Sequence, residues 1–366
     1  MKLIHCADLH LDSKLSANLD REKARERKKE LLFTYEKMVD YAAAHSIEAI
    51  LISGDLFDTH KITQTTKNTV LNSIKNNPNI HFYYLKGNHD DNDFLNDEDD
   101  IPENLFMFSD KWTTYYEADG KITISGIELT KENSSSAHIS LVPDIDIFNI
   151  VMLHCQLAES TGKNKAEVIN IKDYRNKGID YLALGHIHAR KTEKLDARGT
   201  YCYPGCLEGR GFDECGEHGF EVLDIDESKR EFTKEFVSVA KRRLYAIEVD
   251  VTGAESTTEI YEKTEARLAQ ESCTKDDLIK IILTGEYDTE AEKDPDYIVT
   301  KLSESYYFVK VYDETKLRFR TEDYINDKSL KGEFIRLVSA DETLSEDEKN
   351  TVIRYGLQAI NGEEVK

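Results

Sequence analysis

The sequence lacks several features that mark other classes of protein. It has no run of about 18 apolar residues, the length that a membrane-spanning helix requires, which argues against membrane insertion. Its first residues reach charge before any long apolar stretch, so we expect no secretory signal and a cytoplasmic location. Its six cysteines form no Cys-x-x-Cys pair, which argues against a zinc knuckle or a redox dithiol. Internal repeats and low-complexity tracts are also missing, and we predict a soluble globular protein.

Positive charge is scarce as well. The chain has 48 Lys and Arg residues against 71 Asp and Glu residues, which gives a formal net charge of −23. This charge favours cationic partners and repels a phosphate backbone, so it opposes a nucleic-acid-binding interpretation. Short basic stretches, residues 190–191 and 241–243, can still contact DNA at close range.

The length of 366 residues exceeds what a single hydrophobic core usually serves. Polar motifs cease near residue 241, and a new alternating strand begins at about residue 244. We therefore predict a catalytic domain over residues 1–241, a small α+β domain over 242–327, and C-terminal helices over 328–366.

Five apolar runs stop at polar residues. Aromatic and branched side chains favour buried strands in these runs, and the ends of strands are where open α/β sheets bind ligands. The polar residues that follow the runs at 3–4, 47–52, 80–85, 147–153 and 181–184 are Asp8, His10, Asp55, Asp58, Asn88, His89, His154, His186 and His188. We expect these strand ends to deliver one polar cluster.

Helical periodicity alternates with these strands. Residues 20–45 place apolar side chains three or four apart, and residues 63–76 form a second helical stretch before Pro78. Strand, helix and strand in alternation predict an α/β fold with a parallel or mixed sheet. Residues 203–210 form a glycine-rich segment that turn chemistry explains on local grounds.

The polar cluster has the composition of a metal site. Carboxylate, amide and imidazole groups without thiolates suit Mn²⁺, Fe or Zn²⁺. The candidate ligands are too many for one ion that also keeps a place for water, and they are Asp8, His10, Asp55, Asn88, His154, His186 and His188. We predict two ions that share Asp55, an arrangement that activates water for phosphoester hydrolysis.

Two further residues are candidates for catalysis. His89 is adjacent to Asn88, so its side chain points elsewhere and can protonate a leaving oxygen. Asp58 can hold the His89 imidazolium by a charge-assisted hydrogen bond, or can simply be a turn residue. Any one of these motifs alone occurs often by chance, whereas five at strand ends point to function.

The motifs together resemble the calcineurin-like metallophosphoesterase superfamily over residues 1 to about 225. The matching motifs are Asp8-Leu9-His10, Gly54-Asp55-Leu56-Phe57-Asp58, Gly87-Asn88-His89-Asp90, His154 and Gly185-His186-Ile187-His188. Within the superfamily the chain looks like the bacterial SbcD-type DNA repair exonucleases, on the run from Asp8 to Asp12, on Tyr203-Pro204-Gly205-Cys206 and on the additional C-terminal domain. Cys206 stands where these relatives usually have serine.

The resemblance implies a fold, a cofactor and partners. The fold would be a two-sheet sandwich flanked by helices, with the second domain in the place of a DNA-capping domain. The first metal would be held by Asp8, His10, Asp55 and His188, and the second by Asp55, Asn88, His154 and His186. The ions would be two divalent metal ions, usually Mn²⁺. The partners would be DNA and an SbcC-like coiled-coil ATPase subunit that binds the C-terminal helices, and the chain would be compatible with a homodimer.

Three functions remain open at this point. The first is a manganese-dependent DNA nuclease subunit. The second is a phosphoesterase for nucleotides, small molecules or phosphoproteins, which the net acidity favours. The third is a scaffold that keeps metal ligands only for structure, which would not explain His89 because a folding role needs no acid.

Overall fold

The computed structural model describes residues 1–15, 19–58, 62–90, 95, 101–158, 167–288, 292–318, 324 and 326–361. The chain divides into two compact units, Met1–Arg243 and Leu244–Lys366. Each unit has buried hydrophobic clusters of its own. A separate domain over residues 328–366 stays a prediction.

The first unit contains the strands and helices that position the polar cluster. In chain order they are β1 (Lys2–Cys6), α1 (Arg21–Ala44), β2 (Ala49–Ser53), α2 (Gln64–Lys75), β3 (His81–Leu85), β4 (Leu105–Met107), β5 (Thr113–Glu117), β6 (Ile122–Gly126), α3 (Ala137–Ser140), β7 (Phe148–His154), β8 (Gln156–Ala158), β9 (Val168–Asn170), β10 (Tyr181–Gly185), β11 (Lys191–Lys194), β12 (Thr200–Tyr203), β13 (Gly219–Asp226) and β14 (Glu231–Ser238).

These strands form two large mixed sheets. The first has the order β14-β13-β1-β2-β3-β4, in which β1 to β4 run parallel and β13 and β14 are antiparallel. The second has the order β11-β12-β10-β7-β6-β5, with parallel pairing from β12 to β6 and antiparallel strands at both edges. The predicted α/β class, with two sheets and helices, is confirmed.

The two sheets pack face to face. Because side chains alternate along a strand, Leu3 and Leu51 point to one face and Ile4 and Ile50 to the other. Leu3 and Leu51 share a buried cluster with Ile150 and other side chains of the second sheet. Ile4 and Ile50 pack instead with residues of α1 and α2. The core is therefore a sandwich whose first sheet is covered by helices on its outer face.

The two helices follow their predicted ranges. The Asp20 side chain caps α1 by accepting a hydrogen bond from the Lys23 amide at 2.8 Å, and Thr63 caps α2 through Thr66. One face of α1 carries buried Leu31, Tyr35 and further apolar residues against the sheet. Burial of this face orients α1 along the first sheet.

The second unit has its own core. Its elements are β15 (Leu244–Asp250), α4 (Thr257–Leu268), β16 (Leu278–Thr284), β17 (Glu286–Asp288), α5 (Pro295–Leu302), β18 (Phe308–Asp313), β19 (Lys316–Arg318), α6 (Leu330–Ser339) and α7 (Glu346–Asn361). The parallel strands β15, β16 and β18 pack with α4 and α5, and β17 pairs with β19. Ile335 of α6 and Ile353 of α7 share a smaller buried cluster.

Across both units, no helix in the part of the chain that the structure describes is long and apolar enough to cross a membrane.

Candidate metal centre

The predicted polar residues lie at the carboxyl ends of neighbouring strands. Asp8 and His10 follow β1, Asp55 and Asp58 follow β2, and His154 is the last residue of β7. Asn88 and His89 follow β3, while His186 and His188 follow β10. Because β1, β2 and β3 are parallel, and β7 and β10 are parallel, each set ends at one edge of its sheet. The contacts described below bring all nine residues together.

Left-handed backbone conformations occur at four of these residues. Asp8, His10, Asp55 and His186 have φ angles of 54°, 47°, 52° and 93°. Non-glycine residues rarely adopt such angles, which concentrate at functional sites. The Asp8 amide donates to the Gly54 carbonyl at 3.0 Å and the His10 amide to the Asp55 carbonyl at 2.9 Å, so the loops after β1 and β2 hold each other.

Two glycines permit the close approach of these loops. Gly54 has a φ of +94°, and a Cβ atom there would lie 2.1 Å from Nδ1 of His154. A Cβ atom at Gly87 would lie 2.2 Å from Oδ1 of Asp55. Any larger residue would push the histidine or the carboxylate away.

One half of the cluster, which we name the first pole, consists of Asp8, His10, Asp55 and His188. Nε2 of His10 lies 3.2 Å from Nε2 of His188 and 3.7 Å from Oδ2 of Asp55. Nε2 of His188 lies 3.9 Å from Oδ1 of Asp8. Four donor atoms thus converge on one small volume.

The protons of the two histidines point away from that volume. Nδ1 of His10 lies 3.0 Å from Oδ1 of Asp58, and Nδ1 of His188 lies 2.6 Å from Oε1 of Glu214. A carboxylate only accepts, so each Nδ1 carries a hydrogen, and each ring presents a lone pair at Nε2 when it is neutral. Two lone pairs 3.2 Å apart repel each other unless a proton or a metal ion lies between them. The first pole therefore fits a metal ion.

The other half, the second pole, consists of Asp55, Asn88, His154 and His186. Nδ1 of His154 donates to the Ser53 carbonyl at 2.9 Å, so Nε2 again presents a lone pair. That nitrogen lies 3.0 Å from Oδ1 of Asn88 and 3.3 Å from Oδ2 of Asp55, and both oxygens are acceptors. Nδ1 of His186 lies 3.3 Å from the same Asn88 oxygen. Either a proton on Nε2 or a metal ion resolves this conflict.

Asp55 belongs to both poles through one oxygen. Its Oδ2 lies 3.7 Å from Nε2 of His10 and 3.3 Å from Nε2 of His154. Two cations that share this carboxylate account for all seven predicted ligands. The donor set of carboxylate, amide and imidazole groups suits divalent ions such as Mn²⁺, Fe²⁺ or Zn²⁺.

Two groups of the cluster have shifted pKa values. Burial lowers the pKa of His154, but the hydrogen bond and charge of Asp55 outweigh it and bring the pKa to about 9. Burial raises the pKa of Asp8 to about 6, with the charge of Asp55 adding to it. Below its pKa each group holds a proton, which a metal ion must displace.

Asp58 and His89 lie beside the poles. The His89 amide donates to Oδ1 of Asp55 at 2.9 Å, while its imidazole is 46% exposed and packs edge-on against His10. Nδ1 of His89 lies 3.4 Å from Oδ1 of Asp58, farther than the 3.0 Å that separates Asp58 from His10. The nearest histidine to Asp58 is thus a residue of the first pole. The proposed acid role of His89 stays a prediction.

Sequence reasoning missed three residues that shape the centre. Asp90 accepts hydrogen bonds from the amides of Phe57 at 2.8 Å and Gly87 at 2.9 Å, which joins the loops after β2 and β3. Glu214 orients His188, and Arg210 contacts both Glu214 and Asp58. Asp90 stood within a recognised motif, whereas no spacing pattern pointed to Arg210 or Glu214.

Residues 203–210, which we interpreted as a turn, also make contacts with the centre and with α1. Cys206 is buried with its sulfur 3.2 Å from Nδ1 of His218, and Arg210 reaches the centre. Glu208, also buried, accepts hydrogen bonds from Arg27 at 3.0 Å and Thr34 at 2.8 Å of α1. The segment therefore connects the metal centre to α1.

Two known proteins are similar to this chain in sequence. Over 276 residues the chain is 26% identical to the uncharacterized metallophosphoesterase YhaO of Bacillus subtilis (strain 168), a match that covers 72% of this chain and 67% of that protein. Over 206 residues it is 25% identical to the DNA double-strand break repair protein Mre11 of Sulfolobus acidocaldarius, covering 54% of this chain and 52% of that protein. The chain thus spans about half the length of this Mre11 relative.

Among solved structures, the crystal structure of TT1561 of Thermus thermophilus aligns at a TM-score of 0.38 and 13% identity, covering 64% of this chain and 98% of that one. Residues 1–190, more than half of the sequence, match the calcineurin-like phosphoesterase family. These residues include both poles, and the chain belongs to the calcineurin-like phosphoesterase family.

Proposed function

We propose that this metal-dependent phosphoesterase is a two-metal phosphodiesterase that cleaves DNA with manganese, as the nuclease subunit of a repair complex. The two-metal part of the proposal rests on one observation. Histidine nitrogens and acceptor oxygens point toward each other on both sides of Asp55. Two divalent ions held there would activate a water and offset the charge of a phosphoryl group.

The metal ligands and His89 have different roles in this proposal. The ligands of the two poles would hold the metal ions in place, and the packing of their loops would keep these ligands in position. These ligands are Asp8, Asp55, Asn88 and the histidines of the poles. His89 is the half-exposed imidazole next to them, with Asp58 at 3.4 Å. In this position His89 can donate a proton to the leaving oxygen, with the Asp58 carboxylate beside its Nδ1.

The choice of DNA as substrate is supported by the relatives. The protein from S. acidocaldarius is a DNA double-strand break repair protein. By analogy we propose DNA and an SbcC-like coiled-coil ATPase subunit as partners, with a homodimer as the assembly. The cytoplasmic location stays a prediction from the sequence.

The basic residues considered for DNA contact are engaged within the protein. Arg242 is buried and donates to Glu30 at 2.7 Å, and Lys241 also donates to Glu30 at 2.6 Å. Arg190 pairs with the buried Glu221 at 2.7 Å. The prediction that these stretches offer their charge to DNA is therefore wrong for Arg242, because its carboxylate partner and its burial remove it from the surface.

This engagement favours a second candidate function. A phosphoesterase of nucleotides, small molecules or phosphoproteins needs no extended basic surface, and the net charge of −23 suits it better than a duplex.

Cleavage of linear duplex DNA with added MnCl₂ tests the proposal. We expect cleavage by the wild type and none by Asp55→Ala, which removes the ligand common to both poles. Asp226→Ala is the matched control, because Asp226 is a partly exposed carboxylate at the end of β13 that contacts Ser228 and Lys229. Hydrolysis of nucleotides or phosphopeptides by a manganese-loaded enzyme that leaves DNA intact would select the second candidate.

A further inference from the structure

A single arginine lies between the outer partners of the two histidines in the first pole. Asp58 holds Nδ1 of His10 at 3.0 Å, and Glu214 holds Nδ1 of His188 at 2.6 Å. Nη1 of Arg210 lies 3.4 Å from Oδ1 of Asp58, and Nη2 lies 3.0 Å from Oε1 of Glu214. The same two carboxylate oxygens therefore serve both a histidine and the guanidinium.

Arg210 is itself held firmly. Its side chain is 18% exposed, and its backbone amide donates to the second oxygen of Glu214 at 2.7 Å. Glu214 consequently receives hydrogen bonds from the backbone and the side chain of the same residue. This geometry leaves the carboxylate little freedom to rotate away from His188.

We propose that Arg210 is a positioning residue that locks Asp58 and Glu214 together and thereby fixes the two Nε2 atoms of the first pole for metal binding. The planar guanidinium suits this task because it presents separate N–H groups to two carboxylates in a fixed geometry. Arg210 acts mainly through Asp58 and Glu214, although its Nη2 also lies 3.2 Å from Nδ1 of His188. It touches neither substrate nor metal in this role. The inference rests on the two-metal centre of the proposed function and is independent of the substrate.

An electrostatic role and a positioning role of Arg210 predict opposite effects of its replacement on metal affinity. A guanidinium near the centre repels a cation, so a purely electrostatic role predicts tighter metal binding once the charge is removed. A positioning role predicts weaker binding, because the outer partners of metal-bound histidines contribute about 10- to 100-fold to affinity. Lysine separates the two, since it keeps the charge and loses the fork that spans both carboxylates.

The experiment is a Mn²⁺ titration of the full chain by calorimetry, for the wild type, Arg210→Lys and Arg210→Gln. We expect two sites in the wild type, and in both variants one site weakened about tenfold or more with the other retained. Arg198→Lys is the matched control, because Arg198 forms a bidentate pair with Asp180 at 2.7 Å at the opposite end of β10. This control is expected to bind manganese like the wild type.

Electron paramagnetic resonance provides a readout that a general loss of stability would not change. The wild type loaded with two equivalents of Mn²⁺ should show the signal of a coupled pair. Folded Arg210→Lys at the same loading should show isolated and free ions instead.

Wild-type affinity in Arg210→Lys, or tighter binding in Arg210→Gln, would overturn the positioning role. A variant that unfolds is replaced by Glu214→Gln, which keeps the side-chain volume and must lose the same site; unchanged affinity there also overturns the inference. Absence of manganese binding by the wild type would instead reject the metal centre, and intact DNA with two bound ions would reject only the substrate.

Discussion

Oδ1 of Asp58 lies 3.0 Å from Nδ1 of His10, closer than to any other histidine described in the centre. A carboxylate in that place fixes the tautomer of a ligand histidine and raises its basicity. The same oxygen is 3.4 Å from Nδ1 of His89. Asp58 thus connects the first pole to the residue proposed as the acid.

Asp58→Asn is expected to weaken manganese binding at one site about tenfold and to lower the rate of diester hydrolysis at saturating metal. The amide attracts the Nδ1 proton of His10 less strongly than the carboxylate does. The substitution also removes the negative charge beside His89. Calorimetry measures the first effect and steady-state kinetics the second. An unchanged metal affinity with a lower rate would assign Asp58 to His89 alone.

His89→Ala is expected to keep both metal ions and to lose about 10²- to 10⁴-fold in the rate of cleavage of unactivated diesters. The loss should shrink for bis(p-nitrophenyl) phosphate, whose leaving group departs without a proton. The control is His45→Ala, because His45 lies at the exposed end of α1 with its ring stacked on Tyr41. An equal loss on both substrates would contradict an acid role for His89.

Manganese binding should strengthen as the pH rises towards 9. Burial lowers the pKa of His154, yet the hydrogen bond and charge of Asp55 bring it to about 9, so below that pH a cation must displace a proton. Burial raises the pKa of Asp8 to about 6, which adds a second proton below that value. We expect the affinity to fall about tenfold per pH unit from pH 9 to 6 and more steeply below.

Calorimetry in two buffers of different ionisation enthalpy counts the protons released on binding. The count at pH 7.5 should be at least one per chain. Binding at that pH without proton release would show that His154 is already neutral in the metal-free protein.

Glu30→Gln is expected to destabilise the first unit by about 2 kcal/mol. Burial raises the pKa of Glu30, but hydrogen bonds from Arg242, Lys241 and Arg27 outweigh it and lower the pKa from 4.5 to about 2. The amide would remove one of the two carboxylates that each buried arginine contacts, and would leave Arg27 with Glu208 and Arg242 with Glu26. Because the folded pKa is depressed, this stabilisation is present above about pH 4.5 and is lost as the pH falls towards 2.

Urea unfolding at pH 7 and at pH 3 measures the effect. The difference in the free energy of unfolding between Glu30→Gln and the wild type should shrink at the lower pH. Glu36→Gln, on the exposed face of the same helix, should change it by less than about 0.5 kcal/mol. A difference that stays constant with pH would contradict an electrostatic origin.

Much of the fold followed from local patterns. The apolar run that ends before Asp55 became β2, and the periodic stretch after Asp20 became α1, because hydrophobic periodicity and caps act over neighbouring residues. The interpretation of Arg242 as a DNA contact failed for the opposite reason. Its partner Glu30 lies 212 residues away along the chain, at a distance that periodicity cannot detect.

The sequence by itself determined which residue types stand at the strand ends, and hence that carboxylates and imidazoles gather without thiolates. Only the tertiary structure decided the pairing of those groups. Glu214 faces His188, Asp58 faces His10, and Arg210 spans the two carboxylates, because the four loops that follow β1, β2, β10 and β12 pack at one end of the sandwich. Local chemistry selects the ligands, whereas the packing of distant loops decides where each proton lies and therefore which nitrogen atoms are left to bind metal.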